Sequence, residues 1–354
     1  MNFSNLIYKY PYIAVWYIVK LFNKLEPIVF YCADPLDYEM FMPVKKYLPE
    51  IKIVAKNRKT KKYLKEIGID YICMPVFPKA VIMARHTPYK FPVNKIVKFG
   101  FDHGLYQFKK WTNPKTYNNF NIYFVSSNKQ VENAEKLGIK TTYAIGYPKL
   151  DKAFDGTITP ELLEKLRDKS KIDRNKKTVL FTSTWNIDGL SQLDKWIDNV
   201  HLLTDKYNIL LTVHTWTEKS KVEKLRNIPK TYFIEDHDIT DYLMIADVMV
   251  GDYNSLIGEF CAFDKPLITF KVPESLRTIP EIIIMLSSIS IQIDNFSEIE
   301  GAIEKCLDNP DEKSSERKNA NETMFFALDG TAGKRMANKI IDKLLEFNVS
   351  VSNK

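Results

Sequence analysis

The chain has 354 residues, 45% hydrophobic and 27% charged, with a formal net charge of +7. That length exceeds one ordinary domain and suits two, and the composition excludes a disordered or fibrous chain. Four cysteines, Cys32, Cys73, Cys261 and Cys306, fall in no CxxC spacing, which argues against a zinc site or disulfide framework and fits a reducing cytoplasm.

The chain opens on an apolar, aromatic segment, Leu6–Phe22, interrupted by Lys9, Pro11 and Lys20. It falls short of the roughly 20 apolar residues that a membrane span requires, and no signal-peptide cleavage pattern follows. Two readings stay open for residues 1–25. The helix lies in a membrane interface, with Tyr and Trp at headgroup depth, or it packs on its own lobe. The net charge suits an anionic membrane surface or phosphate-bearing substrates, while a single basic run such as Lys56–Lys65 reads as a solvated face.

Beyond it, short apolar runs alternate with amphipathic, helix-length segments, the pattern of repeated β-α units. Strands are predicted at Ile28–Ala33, Ile51–Ala55, Ala80–Met83, Ile96–Phe101, Ile122–Ser126 and Thr142–Ile145, with helices at Leu36–Leu48, Lys59–Ile67 and Asn128–Leu137. Gly146-Tyr147-Pro148 stops this rhythm, and a turn-rich stretch runs on to Thr159-Pro160. After a charged helix at Pro160–Lys169, strands resume at Thr178–Ser183, Ile209–His214, Tyr232–Ile234, Val248–Gly251, Leu267–Phe270 and Ser290–Ile293. A helix at Thr331–Phe347 closes the chain. The expected architecture is α/β and GT-B-like: two Rossmann-like parallel-sheet lobes facing a cleft. One lobe covers residues 26–158 on the acceptor side, and the other covers 159–354 on the nucleotide-donor side. Neither GxGxxG nor GxxxxGK[ST] is present, so nicotinamide-cofactor and ATPase readings lose their best support.

Ligands of open α/β sheets gather at the carboxyl ends of the strands. His103 follows an apolar run in Asp102-His103-Gly104, and His214 ends another in Val213-His214-Thr215. His103 reads either as a general base or as an ordinary loop histidine. His214 reads either as a donor to a phosphate oxygen or as a strand-end cap. His86, His201 and His237 are weaker candidates. Two loops open helices in ways that suit an anion. The first is Gly251-Asp252-Tyr253-Asn254-Ser255, with Glu259 one turn on. The second is Asp329-Gly330-Thr331-Ala332-Gly333, with Lys334 and Arg335 as countercharge. Two such starts in one lobe would match the two charged centres of a pyrophosphate. A plain capped helix is the competing reading of each.

Taken in order, these pieces resemble the CDP-glycerol glycerophosphotransferase family, the teichoic-acid primases and polymerases. The resemblance runs through Pro27–Tyr38, Asp102-His103-Gly104, Ser126-Ser127-Asn128, Gly146–Asp151, Val179–Trp185, Asp241–Phe270 and Asp329–Ala332. It implies a peripheral enzyme on the cytoplasmic face of the cell membrane. Such an enzyme moves glycerol phosphate, or a related alditol phosphate, from a CDP-linked donor to a hydroxyl of a lipid-linked or polymer acceptor. The family's catalytic histidine falls on His103 and its second histidine on His214. The donor's phosphates and nucleotide fall to Asp252, Asn254, Ser255, Glu259, Asp329, Gly330, Thr331 and Arg335. No metal and no cofactor beyond the donor substrate is expected, and nucleic acid is not a partner, since the positive charge forms no stripe with interleaved aromatics. Three departures bear on the substrate: Leu105-Tyr106 where the family has Thr-Pro, Thr215 in place of proline, and one serine of two in Asp252–Ser255. A nucleotide-sugar glycosyltransferase of the same fold is the alternative, and a non-catalytic membrane scaffold is a third reading.

Overall fold

A computed structural model describes residues 3–84, 87–102, 104, 105 and 112–350, with side chains from residue 8 onward. The described residues divide into two compact units. The first takes in residues up to 102, residues 112–151 and residues 325–350; the second takes in 104, 105 and 152–324.

The first unit holds seven strands: β1 (Glu26–Cys32), β2 (Lys52–Ala55), β3 (Ile72–Cys73), β4 (Pro78–Ala84), β5 (Val97–Phe101), β6 (Ile122–Val125) and β7 (Thr142–Ala144). Their order across the sheet is β3-β2-β1-β4-β5-β6-β7, and every pair is parallel. The second unit holds six more: β8 (Thr178–Ser183), β9 (Asn208–Val213), β10 (Thr231–Phe233), β11 (Val248–Gly251), β12 (Leu267–Phe270) and β13 (Ser290–Ile293). They run β10-β9-β8-β11-β12-β13, again all parallel. Parallel strands joined by helical crossovers are covered on both faces, which is why β1, β8 and β11 read as nearly unbroken apolar runs and are buried almost throughout. Strand order reverses between β1 and β4 in one sheet and between β8 and β11 in the other. These are the places where such sheets open a crevice beyond their carboxyl ends.

The opening helix, Phe3–Leu21, settles on its own unit through one face. Tyr12 and Trp16 are buried, and the Tyr12 hydroxyl and Trp16 Nε1 donate to the carbonyls of Val76 (2.7 Å) and Pro78 (2.8 Å). Its outer face keeps Tyr10, Ile18 and Leu21 exposed, with Phe22 just beyond. The buried face matches the reading in which this segment packs on its own lobe. No helix among the described residues is long and apolar enough to cross a membrane.

The unit boundaries differ from those expected. The first unit ends at Asp151 rather than near 158, and the chain from Phe325 onward returns to it instead of finishing the second. The cause is a set of bonds around the helix Ala332–Glu346. Asp151 Oδ1 and Oδ2 accept from the Ala332 and Gly333 N–H groups (3.0 and 2.7 Å), and Arg335 Nε donates to the Ile145 carbonyl (2.8 Å). Gly333 lies so close to the helix Pro35–Lys45 that an added Cβ would sit 2.8 Å from the Pro43 carbonyl carbon. Gly146, at φ +94°, turns the chain beneath Ala332 and Arg335 in a conformation that L side chains rarely adopt.

Candidate active site

In the second unit the carboxyl ends of β8 and β11 meet at Asp252, the residue that follows β11. Asp252 Oδ1 accepts from the Thr184 N–H (2.9 Å) and from Asn254 Nδ2 (3.0 Å). Oδ2 accepts from the Gln192 N–H (3.0 Å) and from the Ser183 hydroxyl. The carboxylate is 1% exposed. Burial pushes its carboxyl above the ordinary carboxylate range, and the donors around it, Ser183 first, pull the other way. Asp252 is thus the tie between the β8 and β11 ends at the crossover point of the sheet. Its oxygens are engaged within the chain, and its negative sign does not suit the phosphates beside which the sequence reading had placed it. Glu259, expected beside it, faces inward and is equally sealed.

Asn254 caps the helix Ser255–Cys261 by accepting from the Leu256 N–H (3.0 Å), and Asp252 fixes the orientation of its amide. Ser255 is half-buried at the first position of that helix. Of this loop, Asn254 and Ser255 stay at the sheet edge, while Asp252 and Glu259 serve the interior.

His214 follows β9, the neighbour of β8. Its N–H donates to the Ser183 carbonyl (3.1 Å), and its ring Nδ1 accepts from the Trp216 N–H (3.1 Å). An Nδ1 used as acceptor leaves the proton of the neutral imidazole on Nε2, so His214 presents itself as a donor. The imidazole is exposed and sits among aromatics, with ring centroids 6.3 Å from Trp185 and 5.5 Å from Trp216. The Arg277 guanidinium lies over the Trp185 ring at 5.4 Å and pairs with Asp188 at 3.5 Å. Arg277 comes from the loop after β12, which the Ile279 N–H pins by donating to the Tyr253 hydroxyl (3.0 Å). The sequence reading missed Arg277. Only the register of a strand pair and that long-range bond bring it to the cluster. Trp185 and Trp216 were legible as neighbours of quoted motifs, but not as a pair.

The second expected anion loop lies in the first unit, so the two helix starts do not share a lobe. Its amides are already engaged by Asp151. Asp329 accepts from Arg335 Nη1 (3.0 and 2.7 Å) and from the Thr331 N–H and hydroxyl (3.0 and 2.9 Å). The Arg335 bond, followed by those from Thr331, holds the Asp329 carboxyl down to about 2. Gly330 supplies the left-handed turn, φ +69°, that folds the loop onto itself. Asp329, Thr331 and Arg335 thus bond to one another around the Gly330 turn, which engages groups that the sequence reading had offered to the donor's phosphates.

His103 and His86 lie outside the described residues; β5 ends two residues before His103. His201 is exposed on a short 3₁₀ turn, and His237 sits between two carboxylates. Lys169 pairs with Asp236 (3.0 Å), and Lys152 with Asp238 (2.9 Å). Among the described residues no group of three or more His, Cys, Asp or Glu is placed to hold a metal ion.

Comparison with known proteins bears on the family and the fold. Over 151 residues the chain is 28% identical to the teichoic acid ribitol-phosphate polymerase TarK of Staphylococcus aureus, covering 39% of this chain and 29% of that protein. It is 27% identical over 237 residues to a teichoic acid poly(ribitol-phosphate) polymerase of Bacillus spizizenii, 57% and 37% of the two chains. A teichoic acid poly(glycerol phosphate) polymerase of the same organism is 25% identical over 187 residues, 50% and 43%. The chain thus spans less than half the length of these relatives. Among solved structures, the wall teichoic acid polymerase TagF superposes with a TM-score of 0.67 at 14% identity, over 96% of this chain and 98% of that one. A UDP-GlcNAc 2-epimerase of Neisseria meningitidis superposes at 0.63 and 13%, over 89% and 100%. These likenesses establish the GT-B class, two Rossmann-like lobes. The family model of the CDP-glycerol:poly(glycerophosphate) glycerophosphotransferases matches residues 93–342, both histidine motifs included, and the chain belongs to that family.

Proposed function

We propose that the protein transfers an alditol phosphate, glycerol or ribitol, from a CDP-linked donor to a hydroxyl of a lipid-linked or polymer acceptor in teichoic-acid-like synthesis. The observation that carries this reading is the family match over residues 93–342, within which His214 stands as an oriented donor at a strand end. The acceptor oxygen attacks the β-phosphorus of the donor, the bond from that phosphorus to the CMP oxygen breaks, and a phosphodiester forms as CMP leaves. His103, following β5, takes the acceptor's proton as general base. His214 Nε2–H offsets charge growing on the phosphoryl oxygens, since such transfers depend mostly on positioning and charge stabilisation. Ser255 and Asn254 contribute polar contacts to the donor's phosphates. Countercharge falls to Arg277, whose 3.5 Å pairing with Asp188 is looser than the 2.7 Å pairing of Arg335 with Asp329 and which lies over Trp185 next to His214.

The reading needs no resident cofactor. A nucleotide donor places the reaction on the cytoplasmic side, and the outer face of the opening helix, Tyr10, Ile18, Leu21 and Phe22, suits an anionic membrane surface in a chain of charge +7.

The test is release of CMP from CDP-glycerol and CDP-ribitol on anionic vesicles carrying an acceptor. His103→Ala should lower turnover 10²–10⁴-fold. His214→Ala should lower kcat on the order of 10²–10³-fold with an unchanged melting temperature, since its ring is exposed. Full turnover by His103→Ala would remove the assigned base, and turnover of UDP-sugars alone would turn the reading to a glycosyltransferase.

A further inference from the structure

Beside His214, the ends of β8 and β9 shape a small open pocket lined by Asn186, Ser191, Trp216, Thr217, Glu218 and Lys221. Apart from Trp216, whose N–H orients His214, none of these residues has a role assigned so far, and three features of the pocket point to a ligand. The Thr217 hydroxyl oxygen is buried yet has no hydrogen-bond partner among the described residues, a state that protein interiors avoid. Glu218 stands at the N-cap of the helix Lys219–Arg226 but makes no capping bond, so its carboxylate is not used by the helix. Trp216 is 69% exposed, held edge-on to Trp185 with centroids 5.0 Å apart, and offers a flat apolar wall.

Charge selects the class of ligand. The charged lining residues are Lys221 and Glu218, and Lys221 is already paired with Asp194 at 2.6 Å outside the lining, so the rim offers no uncompensated positive charge and keeps the Glu218 carboxylate. A phosphate would be repelled there. A neutral ligand rich in hydroxyls would not. Its O–H groups would donate to Glu218, its oxygens would accept from Thr217 and from the Asn186 amide, and its C–H edge would pack on the indole. We propose that this pocket seats the polyhydroxylated carbon chain of an alditol, so that Trp216, Thr217 and Glu218 set which alditol the protein accepts. This inference rests on the transfer reading above and adds the subsite. The alditol can come from the donor or from a unit of the polymer acceptor.

The full chain titrated calorimetrically with CDP, CDP-glycerol and CDP-ribitol separates these sources. The ratio of the CDP Kd to that of each CDP-alditol isolates the share of the alditol from that of the nucleotide. If the pocket holds the donor's alditol, Thr217→Val and Glu218→Ala each shrink that ratio roughly 5–10-fold, the loss of one hydrogen bond, while the Kd of CDP itself stays within about twofold. If it holds the acceptor's unit, the ratio is kept. The same variants then raise KM for a synthetic oligo(glycerol phosphate) by a similar factor at unchanged kcat. Equal weakening of CDP and CDP-alditols would overturn the proposal in favour of a nucleotide pocket, as would variants that change neither Kd nor KM. Wild-type protein that binds no CDP-alditol at all would sink the transfer reading and this pocket together, whereas wild-type binding with inert variants sinks the pocket alone.

Discussion

Two loops open helices after apolar segments, at Asn254-Ser255 and at Thr331-Ala332, and by sequence rules they look alike. In the structure they have opposite fates. The Ser255 start is capped by its own neighbour, Asn254, and stays at the carboxyl edge of the sheet, just after β11. The Ala332 start is capped from 181 residues away by Asp151, whose two oxygens take the N–H groups that a phosphate would have used. A helix N-terminus is an anion site only while no carboxylate of the chain itself claims it. Local sequence reports the donors but not the claimant.

The largest effect that tests this contrast lies behind the Ser255 start. Asp252→Ala removes the acceptor for four donors, two of them backbone N–H groups, and should cost at least about 3 kcal/mol, since buried donors left unpaired are expensive. For units of this size the melting temperature should fall by roughly 6–12 °C. An unchanged melting temperature would mean that Asp252 is available to a ligand after all, and would restore its expected role.

A smaller loss follows at the other start. Asp151→Ala should cost about 1–2 kcal/mol, the value of a lost cap. Inorganic phosphate should then raise the melting temperature of the variant more than that of the wild type, because the Ala332 and Gly333 amides become open to an anion. Equal phosphate responses would break the comparison.

The smallest effect is in acid. The Asp329 carboxyl sits below its unfolded value near 3.9, so its contribution is present above that pH and is lost as pH falls toward about 2. The side chain is half exposed, so screening keeps the contribution to a few tenths of a kcal/mol, roughly. Asp329→Asn should therefore be slightly less stable than wild type at pH 5–6, and the gap should close toward pH 2.

The fold was legible where burial on both faces made strands apolar throughout, as in Thr178–Ser183 and Val248–Gly251. It was not legible at β3, where two residues, one half-buried and one exposed, carry no pattern. The candidate site was legible as far as single residues at strand ends: His214 and the Asn254 cap stand where the alternation of elements placed them. Partnerships across the sequence were invisible. Asp252 reads locally as a loop carboxylate near a phosphate, but the N–H groups it satisfies come from residues 184 and 192, across a parallel pair whose register the sequence does not state. The same holds for Arg277 over Trp185, and for Arg335, whose charge was visible but whose partner, Asp329, turned it inward.

The return of residues 325–350 to the first unit bears on biogenesis. Chains emerge from the ribosome in order, and domains generally fold as units as they appear. Here the unit that begins earlier cannot finish before the other: Asp151, Gly146 and Pro43 wait for Ala332–Glu346, which is made after the whole of the second unit. The second unit, nearly continuous from 152 to 324, is complete before its predecessor. A premature stop within Ala332–Glu346 would therefore damage the earlier of the two units, leaving β1 to β7 without a covering helix while residues 152–324 are already folded.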